Sequence, residues 1–165
     1  MSAETLGDVT DTARATGTGS MTGTVHVARA VLGDVLPRAA AGFPNEVCGL
    51  LLGSKDASSW RVEQATQGGN LVVDRQHDRY QLDPAHYLEA DKLARQLGLD
   101  IVGVWHTHPD HPPEPSVTDR EHAWQGFVYW IVPTTRDGAG EGRWWILGGE
   151  AHEGFLEVAA VTSDD

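Results

Sequence analysis

An α/β fold of the α+β kind, with a central mixed β-sheet flanked by helices, is predicted by three features of the chain. Residues 47–52 are apolar almost throughout, the mark of a strand covered on both faces. Asp83-Pro84 and Gly98 bracket an amphipathic stretch that leads directly into the apolar residues 101–105, so strand, helix and strand follow one another as in a sheet with a helix packed on it. Residues 127–132 and 143–147 are apolar runs joined by the Gly-rich stretch 137–142, which predicts an antiparallel hairpin.

The elements can be justified in chain order. Residues 1–24 are rich in Thr, Gly, Ala and Ser, with almost no large apolar side chains. Such a stretch cannot offset its ordering entropy by burial and is expected to be a disordered tail. The folded domain is expected over 25–160, with a frayed end at 161–165. Val25-His26-Val27 predicts a first strand. Val31, Leu32, Val35 and Leu36 then recur at helical spacing over 28–41. Pro37 costs about 3 kcal/mol inside a helix, so a break is expected near Leu36. Gly42 and Pro44 turn the chain into the strand at 47–52. Residues 60–65 alternate and pair with it, and 67–81 are irregular, with a short strand at 80–82. Asp83 caps the next helix and Pro84 is preorganised at its first position. Tyr87, Leu88, Leu93, Ala94 and Leu97 are expected to form its apolar face. A last edge strand is expected around Phe155, Leu156 and Val158.

Composition narrows the function classes. The chain has 165 residues, 12 Lys plus Arg and 24 Asp plus Glu, for a net charge of −12. One domain of this size buries a real core. So acidic a chain lacks the basic patches that phosphate backbones require, which argues against nucleic-acid binding. No apolar run approaches the length of a membrane span and no signal-peptide pattern appears, so a cytoplasmic protein that binds no membrane is expected. The single Cys rules out a disulfide framework.

The chemistry is concentrated in Ile101 to Asp119, IVGVWHTHPDHPPEPSVTD. Side chains alternate along a strand, so His106 and His108 leave the same face and Thr107 the other. Pro109 has no N–H and ends the ladder. A proline-rich loop then brings Ser116 and Asp119 back toward the strand end. Two imidazoles and one carboxylate are the ligand set of a catalytic zinc ion, with a fourth position left for water. A closed structural site would require several Cys, which the chain lacks. Ser116 and Asp119 also match a helix capping box, a role compatible with ligation. The catalytic base is expected to be Glu46, at the mouth of the core strand. Cys48, two residues on, reads as a small buried hydrophobe rather than a thiol tuning the metal. His111 reads as a loop residue, and Trp105 as packing on the side away from the ligands.

These residues closely resemble the signature of the JAMM (JAB/MPN-plus) metalloprotease family, in its compact prokaryotic form. Glu46 stands upstream, His106-Thr107-His108-Pro109 follows, and Ser116 and Asp119 fall at the family's spacing. The resemblance implies a cytidine-deaminase-like MPN fold with one zinc ion at a strand end, held by His106, His108 and Asp119. It implies Glu46 as the proton carrier and Ser116 as the donor that stabilises the oxyanion. It also implies hydrolysis of the amide bond after the C-terminal tail of a ubiquitin-like protein. Little chain separates Glu46 from His106, which leaves little room for the insertions of the family's eukaryotic deubiquitinases. A small β-grasp sulfur-carrier protein, of the kind serving molybdopterin, thiamine or cysteine synthesis, or a ubiquitin-like modifier is therefore the expected partner, and a homodimer is left open. The competing readings are a non-catalytic partner-binding scaffold and a peptidase of cell-wall or phage peptides. A zinc deaminase would need His-x-Glu and Pro-Cys-x-x-Cys, and the chain has neither.

Overall fold

A computed structural model describes residues 23–69, 82–148 and 154–164. Of the tail expected over 1–24, residues 1–22 lie outside the described residues, as do most of the irregular stretch before the second helix and all but Leu82 of the short strand expected at 80–82. The described chain runs β1 (Thr24–Ala28), α1 (Arg29–Gly42), β2 (Cys48–Lys55), β3 (Ser59–Ala65), α2 (Pro84–Leu97), β4 (Asp100–Pro109), α3 (Val117–His122), β5 (Val128–Thr135), β6 (Gly138–Ala139), β7 (Arg143–Leu147) and β8 (Phe155–Ser163). This is the mixed α+β architecture that the sequence predicts. The strands form one sheet in the order β4-β2-β3-β1-β8-β7-β5-β6, and a further parallel pairing of β4 with β5 closes it on itself. Among the described residues no helix is long and apolar enough to cross a membrane.

The core divides into two clusters. Val31, Val35 and Ala39 of α1 pack with Val25, Leu51, Val62, Trp105 and Trp130. Ala90 and Ala94 of α2 pack with Leu50, Leu52, Val104 and Tyr129. Neighbouring residues of β2 thus serve opposite faces, as expected for a strand buried on both sides. A register shift in the β2–β4 ladder pairs Leu51 with Gly103 but Leu52 with Ile101. The extra residue resets the alternation, so Val102 and Trp105 share one cluster while Val104 serves the other. From Val104 onward the alternation is regular and carries the two histidines.

The backbone of a neighbouring segment approaches closely at Gly49. A Cβ there would lie 1.7 Å from the Thr66 carbonyl oxygen and 2.4 Å from the Trp105 Nε1. Gly49→Ala should therefore destabilise the fold by about 3 kcal/mol, since overpacking against backbone cannot be relieved by rotation. A lower urea midpoint with an unchanged slope is the expected reading; an unchanged midpoint would contradict the packing described.

Several expectations need correction. Helix α1 runs through Pro37 without a break. The carbonyl deprived of its partner is that of Gly33, which lies on the exposed side where solvent can satisfy it, while Val31, Val35 and Ala39 hold the helix down. Asp83 and Gly98 cap α2 as anticipated: Asp83 accepts a bond from the Ala85 amide, and Gly98 sits at φ 71°. The buried stripe of α2 is nevertheless Ala90 and Ala94, whereas Leu88, Leu93 and Leu97 are exposed. Small residues four apart let the helix lie close on β2 and β4, and the leucines flank that line. Strand β5 continues past Pro133 to Thr135, supported by β4 and β6. β8 is no edge, because it pairs with β7 through its first half and with β1 through its second. Residues 161–163 accordingly belong to this ladder instead of fraying.

Candidate metal centre

The site lies where β4 ends and the chain enters β2. Cys48 pairs with His106 in the antiparallel ladder. The contact extends one residue further, because the Thr107 amide donates to the Val47 carbonyl at 2.9 Å and the Val47 amide donates to the Thr107 Oγ1 at 2.9 Å. Thr107, on the face opposite the histidines, thereby ties the segment carrying Glu46 to the strand carrying His106 and His108. One ligand atom each from Glu46, His106 and His108 lies within 4.8 Å of the others, and all three residues are buried.

Asp119 completes the group from α3. Its Oδ1 lies 3.2 Å from the His106 Nε2 and its Oδ2 lies 3.3 Å from the His108 Nε2. The capping box fixes its orientation: the Ser116 amide donates to the Asp119 Oδ2 at 2.8 Å, and the Asp119 amide donates to the Ser116 Oγ at 3.0 Å. Capping and presentation of the carboxylate are thus one arrangement. Ser116 stands at the exposed border, with its hydroxyl proton available for a further bond.

The protonation pattern suits ligation. The His108 Nδ1 lies 2.8 Å from the Pro112 carbonyl, which can only accept, so this nitrogen carries a proton. A neutral His108 ring therefore presents the lone pair of Nε2 toward the cluster. Burial pushes His106 down to about 4, outweighing the pull of Asp119, so it is neutral at physiological pH. Burial opposes charge on His108 as well, but the Asp119 hydrogen bond, the Pro112 carbonyl and the charges of Asp119 and Glu46 outweigh it and raise its pKa. Asp119 is held down to about 2, because the two histidines and the Ser116 amide overcome the cost of its burial. Cys48 is fully buried, and burial and the neighbouring Glu46 push its thiol up to about 12, so it is chemically quiet. His111 is exposed in the loop.

The structure thus brings Glu46, His106, His108 and Asp119 together, with Ser116 beside them. Two imidazoles and buried carboxylates at this spacing are a donor set that could hold a borderline divalent cation. Reading the sequence alone misses two supports, the Thr107 cross-link and the Pro112 carbonyl behind His108. A hydroxyl residue between two histidines is a signal for the first; nothing local signals the second.

Comparison with known proteins shows the family of the chain. The sequence profile of the family described as prokaryotic homologs of the JAB domain matches residues 28–147. A desampylase from Haloferax volcanii is 38% identical over 102 residues, which cover 61% of this chain and 71% of that protein. A desampylase from Pyrococcus furiosus is 31% identical over 122 residues, covering 74% of this chain and 77% of that one. A histone deubiquitinase from Branchiostoma floridae is 35% identical over 78 residues, 46% of this chain but only 9% of that protein. Among solved structures, a protein from Salinibacter ruber superposes with a TM-score of 0.65 at 33% identity, covering 84% of this chain and 92% of that chain. One from Desulfitobacterium hafniense reaches 0.72 at 24% identity over 86% and 94%, which shows the shared fold. The chain belongs to the prokaryotic homologues of the JAB domain and is a hydrolase of the JAMM isopeptidase type.

Proposed function

We propose that this protein is a zinc-dependent isopeptidase that releases a small ubiquitin-like, β-grasp sulfur-carrier protein from an adduct by hydrolysing the amide bond after its C-terminal tail. The observation that carries the reading is the convergence of Glu46, His106, His108 and Asp119, buried together from three separate segments. The names of the relatives point the same way, two being desampylases and one a histone deubiquitinase. Residues 25–160 form the catalytic unit in this reading.

His106, His108 and Asp119 would hold the zinc ion, which when bound supplies Lewis acidity for attack on an amide carbonyl. The Glu46 carboxylate takes a proton from the attacking water and returns it to the leaving amine. Its burial beside the imidazoles keeps it within reach of the reacting group. The Ser116 Oγ accepts from the Asp119 amide, so its O–H is left to donate to the oxyanion of the tetrahedral intermediate. Incubation of zinc-loaded protein with carrier–lysine adducts and with a panel of short peptides tests the substrate class. Cleavage after the carrier tail is expected; turnover of short peptides alone would overturn it.

The protonation pattern gives a pH dependence. A cation at the imidazole nitrogens competes with protons. His106 stays neutral down to about 4, while His108 accepts a proton above the ordinary histidine value. Metal affinity is thus full above the His108 pKa and falls by about one log unit per pH unit below it; the slope steepens to about two where His106 also titrates. Competition with a chromophoric chelator across this range should show the two slopes. A slope of about two beginning just below neutrality would contradict the assignment.

A further inference from the structure

We propose that Trp145 is a positioning residue of the metal centre, pinning the proline-rich loop whose carbonyl sets the proton of His108. The consequence for metal binding rests on the reading above; the clamp itself stands on the geometry. Two consecutive carbonyls of the loop are held by side chains of two different strands, β4 and β7. The Pro112 carbonyl accepts from the His108 Nδ1 at 2.8 Å, and the Pro113 carbonyl accepts from the Trp145 indole N–H at 3.0 Å. The next residue, Glu114, accepts from the Arg143 Nη1 at 3.3 Å. The Arg143 guanidinium lies over the Trp145 ring, 4.9 Å from its centroid, and is braced by two bonds to Glu157 of β8. Trp145 itself sits in the β5–β7–β8 ladder, opposite Tyr129 and Glu157.

The Pro113 carbonyl takes its donor from outside the loop. Pro109, Pro112, Pro113 and Pro115 contribute no amide N–H, and the remaining amides are engaged elsewhere: Asp110 donates to the Thr134 carbonyl, His111 to that of His108, Glu114 to that of Pro112 and Ser116 to the Asp119 carboxylate. A rigid strand with a planar N–H donor supplies what the prolines remove. If the loop slipped, the His108 Nδ1–H would lose its acceptor and the ring could change tautomer or turn, withdrawing the Nε2 lone pair from the cluster.

The test is Trp145→Phe, which removes the donor and keeps a ring. Trp60→Phe is the control, because it deletes a comparable indole-to-carbonyl bond, to Gly126, away from the loop. Two quantities are read at fixed neutral pH: the protection from exchange of the His108 Nδ1 proton in ring-nitrogen NMR spectra, and zinc affinity by chelator competition. Trp145→Phe is expected to lose the protected Nδ1 proton and to bind zinc about 10- to 100-fold more weakly, with Trp60→Phe like the wild type in both. The proposal is overturned if Trp145→Phe keeps the proton and an affinity within about twofold, or if Trp60→Phe loses as much. Should Trp145→Phe fail to fold, the same position carrying the benzothiophene analogue of tryptophan, with sulfur in place of N–H, decides between these outcomes. Wild-type protein that takes up no zinc would refute the metal reading alone, and the Nδ1 proton would still decide the clamp.

Discussion

Glu46→Gln should lower kcat by about 10²- to 10⁴-fold while leaving the bound metal in place. The amide is close in size to the carboxylate, so the segment between α1 and β2, where Glu46 is buried, keeps its shape. What is lost is the ability to take a proton from water and hand it to the departing amine. The proposed ligands, His106, His108 and Asp119, are untouched, and the Thr107 cross-link that positions this segment uses only the backbone of Val47. Single-turnover kinetics on a carrier–lysine adduct, with zinc content measured on the same sample, separate the two effects. Unchanged turnover would remove Glu46 from the mechanism. A loss of metal in parallel with activity would instead make it a ligand.

His106→Ala should abolish turnover and reduce zinc affinity by more than about 100-fold, beyond the cost of losing a group that merely supports a ligand. The side chain is completely buried and faces Asp119 at 3.2 Å. Its removal leaves His108 and Asp119 as the remaining histidine and aspartate partners, too few to hold the ion firmly. Because His106 is one of the groups holding Asp119 at low pKa, that carboxylate should also titrate at higher pH in the variant. Dialysis against a chelator followed by metal analysis reads the affinity, and near-UV circular dichroism reports whether the core survives. Retained turnover in a folded His106→Ala protein would contradict the ligand assignment.

Much of the site is legible in the sequence because its geometry is local. Two histidines separated by one residue share a strand face whatever the rest of the fold does. The Ser116–Asp119 spacing, likewise, sets a helix start from within four residues. Helix α2 begins and ends at Asp83 and Gly98 for the same reason: caps act over a single turn. What the sequence does not disclose depends on partners far along the chain. Pro37 is tolerated because α1 is held by core packing. The line of contact under α2 passes through Ala90 and Ala94 because close approach to the sheet favours small residues over the flanking leucines. Closure of the sheet by β4 and β5, and the pairing of β8 with β1, unite segments with no mutual signature. The Trp145 bond to the Pro113 carbonyl is of this kind too, since an indole N–H announces no particular acceptor.

X-ray absorption at the zinc edge of the loaded wild-type protein tests the ligand set most directly. The account predicts a shell of nitrogen and oxygen donors only, at about 2.0–2.2 Å, with the outer scattering of two imidazoles. A sulfur scatterer at about 2.3 Å, which would have to come from Cys48, or the signature of fewer than two imidazoles, would contradict it.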